Sequence, residues 1–143
     1  MLAQYTGTVL SYLPKQNFGT LVVVKPDCDV STGAAYKAFD IADRVRHLDK
    51  SGMLHCIMQS DVNGVYGRIN NVFEQFIDVP ERVAIKSVMR KHGASAACMS
   101  GSGPSVFGFF ETKQRAEEAA EELRKDFKQT FVCECTNCGC EIE

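Results

Sequence analysis

The sequence has no excess of either charge, no long apolar run and no leader-like start. Sixteen basic residues face eighteen acidic ones, a net of −2, and the lysines and arginines are scattered along the chain. That balance lacks the basic footprint of a nucleic-acid-binding surface. No purely apolar run exceeds the four residues of Leu21–Val24, far short of the ~20 that span a bilayer. The opening "MLAQYTGTVL" has no basic segment leading into a long apolar stretch, so it does not read as a signal peptide. No internal repeat or low-complexity tract is evident. Nucleic acid and membrane are therefore not among the expected partners.

What is present fits a single domain. The chain has 143 residues, 45% hydrophobic and 24% charged, enough to bury one core with an ordinary globular surface. Seven cysteines stand out. Cys28, Cys56 and Cys98 are dispersed, and the other four crowd into "CECTNCGC". An odd count without a secretory signal points to reduced thiols and a cytoplasmic setting. In the tail, Cys133, Cys135, Cys138 and Cys140 follow a C-x-C-x2-C-x-C pattern, and "CTNCG" has the form of a zinc knuckle. Cys133 and Cys135 fall on one face of a strand, since side chains alternate. Two readings stand: four thiolates closing a structural zinc site, or a reduced, oxidation-prone tail that binds nothing. His47, His55 and His92 are isolated from one another and suggest no catalytic constellation.

Periodicity gives the architecture. "FGTLVVVK" reads as a central strand closed by Pro26, and "PDCDVST" as a turn in which Asp29, Ser31 or Thr32 caps a helix. That helix, "STGAAYKAFDIADRV", carries Ala35, Phe39, Ala42 and Val45 at helical spacing. Between residues 47 and 80, "HLDKSGMLHCIMQSD" and "GRINNVFEQFIDV" predict short helices interrupted at Gly52, Asn63-Gly64 and Gly67. After Pro80, "ERVAIKSVMRKH" places Ala84, Ile85, Val88 and Met89 on one face, and Gly93 stops it. "ASAACMS" and "PSVFGFF" predict two strands joined across Gly101 to Gly103. "TKQRAEEAAEELRKDFKQ" is a helix with the stripe Ala116, Ala119, Ala120, Leu123 and Phe127, and "TFVCECT" is the last strand. The series βαββαβ predicts an α+β, ferredoxin-like plait. It has a four-stranded antiparallel sheet with helices on one face and extra helices inserted after the first. The bare sheet face, apolar through "LVVV", calls for a cover: a second domain or another copy of the chain.

"KHGASAACMSGSGPSVFGFF" carries the chemistry. Glycines permit positive φ and let another group come close to backbone N–H donors, and Ser100 and Ser102 add two hydroxyls. Spacing alone leaves two alternatives, a hairpin turn or a phosphate-binding nest. The stretch resembles the third signature of the GHMP small-molecule kinases, in the form of the branch acting on 4-diphosphocytidyl-2-C-methyl-D-erythritol. "VVVKPDCDVSTGAAYKAFD" and "NNVFE" are similar to further family segments, in family order, and "LAQYTGTVLSYLP" is similar to its inter-domain linker strand. Val72 departs from the acid usual in that family segment.

The resemblance implies an ATP- and Mg2+-dependent phosphotransferase. It would act on the 2-hydroxyl of that acceptor in non-mevalonate isoprenoid biosynthesis, with the small-molecule substrate held between two domains. The family's nucleotide-binding loop, substrate lysine and aspartate have no counterpart here, so the N-terminal kinase domain is the expected missing partner. No catalytic residue and no required cofactor is expected on this chain alone, which should be inactive. The resemblance places Ser100, Gly101, Ser102 and Gly103 beside the phosphates, with Ser31, Thr32 and Tyr36 on the acceptor side. The plainer readings are a helix cap for Ser31 and Thr32 and a core contact for Tyr36, while Asn71 and Glu74 read as a solvated helix face. Expected boundaries are a linker strand region at 1–18, the kinase C-terminal domain at 19–135 and a cysteine-rich tail at 136–143. A homodimer through the bare sheet face is expected when the partner domain is missing. Rival readings are a free-standing ligand-binding or regulatory module on the same fold, and a metal-responsive interaction protein built on the tail.

Overall fold

The computed structural model describes residues 1–136. A small exposed hairpin comes first, β1 (Leu2–Gln4) paired antiparallel with β2 (Val9–Ser11). The main sheet is formed by β3 (Thr20–Lys25), β4 (Ala96–Met99), β5 (Val106–Phe110) and β6 (Gln129–Glu134), in the order β4-β5-β3-β6. Every neighbouring pair is antiparallel. With the helices α4 (Pro80–Lys91) and α5 (Lys113–Leu123) on one face, this is the ferredoxin-like plait, and the "LVVV" strand is central in it.

Alternation explains which side chains meet the helices. Val22 and Val24 of β3 and Val106 and Phe110 of β5 are fully buried against Ile85 and Met89 of α4 and Ala116, Ala119, Ala120 and Leu123 of α5. The alanine stripe lets α5 lie close to the sheet. Gly108 does the same for α4, because a Cβ there would stand 2.8 Å from the Met89 sulfur. Ala84 differs from expectation: it is exposed, and the buried face of α4 runs through Ile85 and Met89 with Val88 partly covered.

The crossover from β3 to β4 holds α1 (Thr32–Asp40), α2 (Lys50–Met58), α3 (Val62–Tyr66), a 3-10 turn (Val72–Gln75) and finally α4. Helix α1 stops at Asp40, short of the expected Val45, and buries only Ala35. Its aromatic residues pack on the 3-10 turn: Tyr36 lies 5.1 Å from Phe73, and Phe39 lies 5.9 Å from Phe76. Gly52 and Gly64, expected as breaks, lie inside α2 and α3. Each is the third helical residue after an aspartate cap, and its N–H donates to that aspartate, Asp49 or Asp61, at 2.9 Å. A Cβ at either position would collide with the capping carboxylate. Glycine here admits the cap and does not end the helix.

The second sheet face is not bare, which corrects the expectation. Phe18, just before β3, and Tyr66 of α3 both pack on Phe109 of that face, at ring-centroid distances of 5.6 and 5.5 Å, and Phe107 packs on Phe109 at 5.6 Å. The Tyr66 hydroxyl donates to the Phe18 carbonyl at 2.8 Å. On the outer strand β6, opposite Val23, Phe131 stays 54% exposed.

Candidate functional site: the glycine loop between β4 and β5

The loop 100–105 leaves the sheet at Met99 and returns at Val106. It closes on itself through two hydrogen bonds, Ser100 N–H to Ser105 C=O at 2.8 Å and Gly103 N–H to Ser100 C=O at 2.9 Å. Gly101 and Gly103 have φ of +54° and +91°, the left-handed region where a side chain is strained. Around Gly101 nothing comes within 4 Å of a notional Cβ, so the tip of the loop is open to approach. No hydrogen bond joins the Gly101 or Ser102 N–H to another described residue.

Three groups from the β3–β4 crossover fasten this loop and the strand end that leads into it. The Asn71 side-chain amide donates to the carbonyls of Met99 at 2.8 Å and Gly101 at 2.7 Å, while its oxygen accepts the Phe73 N–H at 2.9 Å. Glu74 accepts the Met99 N–H at 2.6 Å and pairs with Lys86 at 2.8 Å, both side chains being largely covered. Burial alone would raise the Glu74 carboxyl, but the Lys86 ammonium and the Met99 N–H outweigh it and hold the group below its ordinary value. Thr32 and Ser102 share a hydroxyl hydrogen bond of 3.1 Å. The neighbouring Cys98 is pushed up to about 11 by burial and by the Glu74 charge, so it is a neutral thiol at pH 7. Beside the loop is a cleft of about 320 Å3 lined by Asn71, Phe73, Cys98, Ser100, Gly101 and Phe107. A larger apolar cleft, about 670 Å3 between the N-terminal segment and α2, shares no residue with it.

The structure thus brings Thr32 together with Ser100 to Gly103. Ser31 is the cap of α1, its hydroxyl accepting from the Ala34 N–H at 3.3 Å. Tyr36, one turn on, is 56% exposed and rests edge-on against Phe73, so it is no core residue. The expectation of a solvated face at Asn71 and Glu74 is corrected, since both point into the loop. The likeness of "NNVFE" to a family segment singled these two residues out, but nothing local showed what they hold. Cys133 and Cys135 are exposed, and Cys138 and Cys140 lie outside the described residues. Among the described residues, no group of three or more His, Cys, Asp or Glu side chains could hold a metal ion.

The plait with its open glycine loop defines a class. Residues 62–129, from α3 through the glycine loop to the start of β6, match the family described as GHMP kinases C terminal. The chain is 35% identical, over 99% of its length, to 4-diphosphocytidyl-2-C-methyl-D-erythritol kinase of Alkaliphilus oremlandii (strain OhILAs), covering 49% of that protein. It is 36% identical, over 93% of its length, to the protein of the same name from Lachnospira eligens, covering 48% of it. A crystal structure of 4-(cytidine 5'-diphospho)-2C-methyl-D-erythritol kinase superposes with a TM-score of 0.61 at 28% identity. That superposition covers 79% of this chain and 41% of the other. The chain spans about half the length of the curated relatives it matches.

Proposed function

We propose that this chain is the C-terminal half of an ATP-dependent kinase that phosphorylates 4-diphosphocytidyl-2-C-methyl-D-erythritol at its 2-hydroxyl, in non-mevalonate isoprenoid biosynthesis. In this proposal residues 1–18 form the linker strand region, 19–135 the kinase domain and 136–143 the tail. The observation that carries it is the turn at Gly101 and Ser102, where two successive N–H groups have no hydrogen-bond partner among the described residues, in a setting that suits phosphate oxygens. Relatives bearing that kinase's name support the acceptor. Ser100, Gly101, Ser102 and Gly103 support the phosphate site, and Ser31, Thr32 and Tyr36 border the acceptor.

Phosphoryl transfer of this kind is positioning and charge stabilisation more than covalent work by the protein. ATP and Mg2+ are supplied with an N-terminal domain as partner. This chain contributes loop donors, and by itself it transfers no phosphate. A cytoplasmic location belongs to the same proposal. Among the described residues no helix is long and apolar enough to cross a membrane. Where the partner domain is missing, the exposed part of the second sheet face around Phe131 pairs two copies of the chain.

An ADP-release assay with ATP, Mg2+ and the diphosphocytidyl acceptor tests the division of labour. The chain alone gives background, and its fusion to the N-terminal half of the Alkaliphilus relative gives turnover. Turnover by the chain alone overturns the division. A fusion that prefers homoserine or mevalonate overturns the acceptor.

A further inference from the structure

We infer that Asn71 is a positioning residue that aims the glycine loop's free N–H toward its ligand, an inference that rests on the phosphate reading above. Among the described residues only the Gly103–Pro104 peptide is cis. A trans peptide carries its C=O and N–H on opposite sides, so whatever holds the carbonyl also directs the N–H. Asn71 holds the Met99 carbonyl, and the N–H of that peptide, Ser100, turns away to Ser105. Asn71 also holds the Gly101 carbonyl, and the N–H of that peptide, Ser102, turns away with no described partner. Between them the Ser100 carbonyl is taken by the Gly103 N–H, which leaves the Gly101 N–H on the other side. Three consecutive carbonyls are thus occupied, two of them by one side chain.

Asparagine suits this post chemically. Its amide group supplies two hydrogens for two carbonyls, and its oxygen caps the 3-10 turn at Phe73. Serine in its place keeps an oxygen for the cap but has no donor pair that reaches the loop. The cap and the aiming can therefore be separated by one neutral substitution.

The test uses the full 143-residue chain, labelled with 15N. In Asn71→Ser, backbone order at Gly101 and Ser102 falls from about 0.85 to below about 0.6, while the Phe73 amide and the thermal midpoint stay as in the wild type. Unchanged loop order overturns the inference. Loss of order spread evenly through residues 70–76 also overturns it, because Asn71 would then only support the turn. A measurement on the wild type needs no variant: the Asn71 side-chain amide hydrogens exchange slowly with solvent, and exchange as fast as a free amide overturns the inference. Titration with inorganic pyrophosphate separates this from the phosphate reading. Shifts at the Gly101 and Ser102 amides are expected, with affinity roughly tenfold weaker in Asn71→Ser. Equal affinity in the two proteins overturns the positioning role. No shift in the wild type, with loop order still lost in the variant, overturns the phosphate reading and supports the positioning role.

Discussion

Glu74 is the residue on which the loop's base depends. It takes the Met99 N–H and the Lys86 ammonium in a site largely closed to water. Glu74→Gln keeps an acceptor but strands the lysine charge, and a loss of about 1 to 3 kcal/mol at pH 7 is expected in urea denaturation. The folded carboxyl lies below its ordinary value of 4.5, so the unfolded chain binds more protons in acid. Its contribution is complete above pH 4.5 and is lost as pH falls below that. Glu122, drawn down to about 2 by the Lys91 and His92 hydrogen bonds, acts in the same direction but is exposed and screened by salt. Unfolding free energy measured from pH 6 to 2.5 should decline, and Glu74→Gln should flatten the first part of that slope. An unchanged slope places the acid sensitivity elsewhere. Gly64→Ala tests the aspartate caps: its Cβ meets Asp61 and the Cys56 sulfur, and a cost of about 1 to 3 kcal/mol is expected.

At the scale of elements, what the sequence revealed depends on where each element's partners lie. The unbroken apolar run of β3 marked it as a central strand, and α5 repeats its alanines at helical spacing, so the place of the one and the buried face of the other could be read directly. The insertion could not. Its helices are short, and "DKSG" and "DVNG" look like breaks until the aspartate is seen to accept the glycine N–H three residues on. Asn71 and Glu74 were hidden for another reason: the groups they hold lie 25 to 30 residues away, beyond any local period. The loop itself was legible as glycines between two strands, but not what fastens it. The helix layer offers a direct check on the core. Ile85→Ala in α4 should cost about 2 to 5 kcal/mol, whereas Val83→Ala, at a site 70% exposed, should stay within about 0.5 kcal/mol. Equal effects would mean that α4 faces the sheet by another side.

For the whole molecule, the second sheet face is the surface to watch. Phe18, Tyr66, Phe107 and Phe109 close part of it, and Phe131 stays open on the outer strand beside exposed Cys133. In the proposed complete kinase a neighbouring domain takes that role. In the chain alone, static light scattering under reducing conditions should show mass rising with concentration, and Phe131→Ser should restore a monomer. A monomer at all concentrations for the unsubstituted chain would remove the homodimer from the proposal.

Asn71, Glu74 and Thr32 moor the loop to the long detour between the first two strands of the plait, and only its ends to the sheet. Warming should therefore disarm the chain before it melts. Residues 70–76 slacken, Gly101 and Ser102 swing free, and the four strands still give their full circular dichroism.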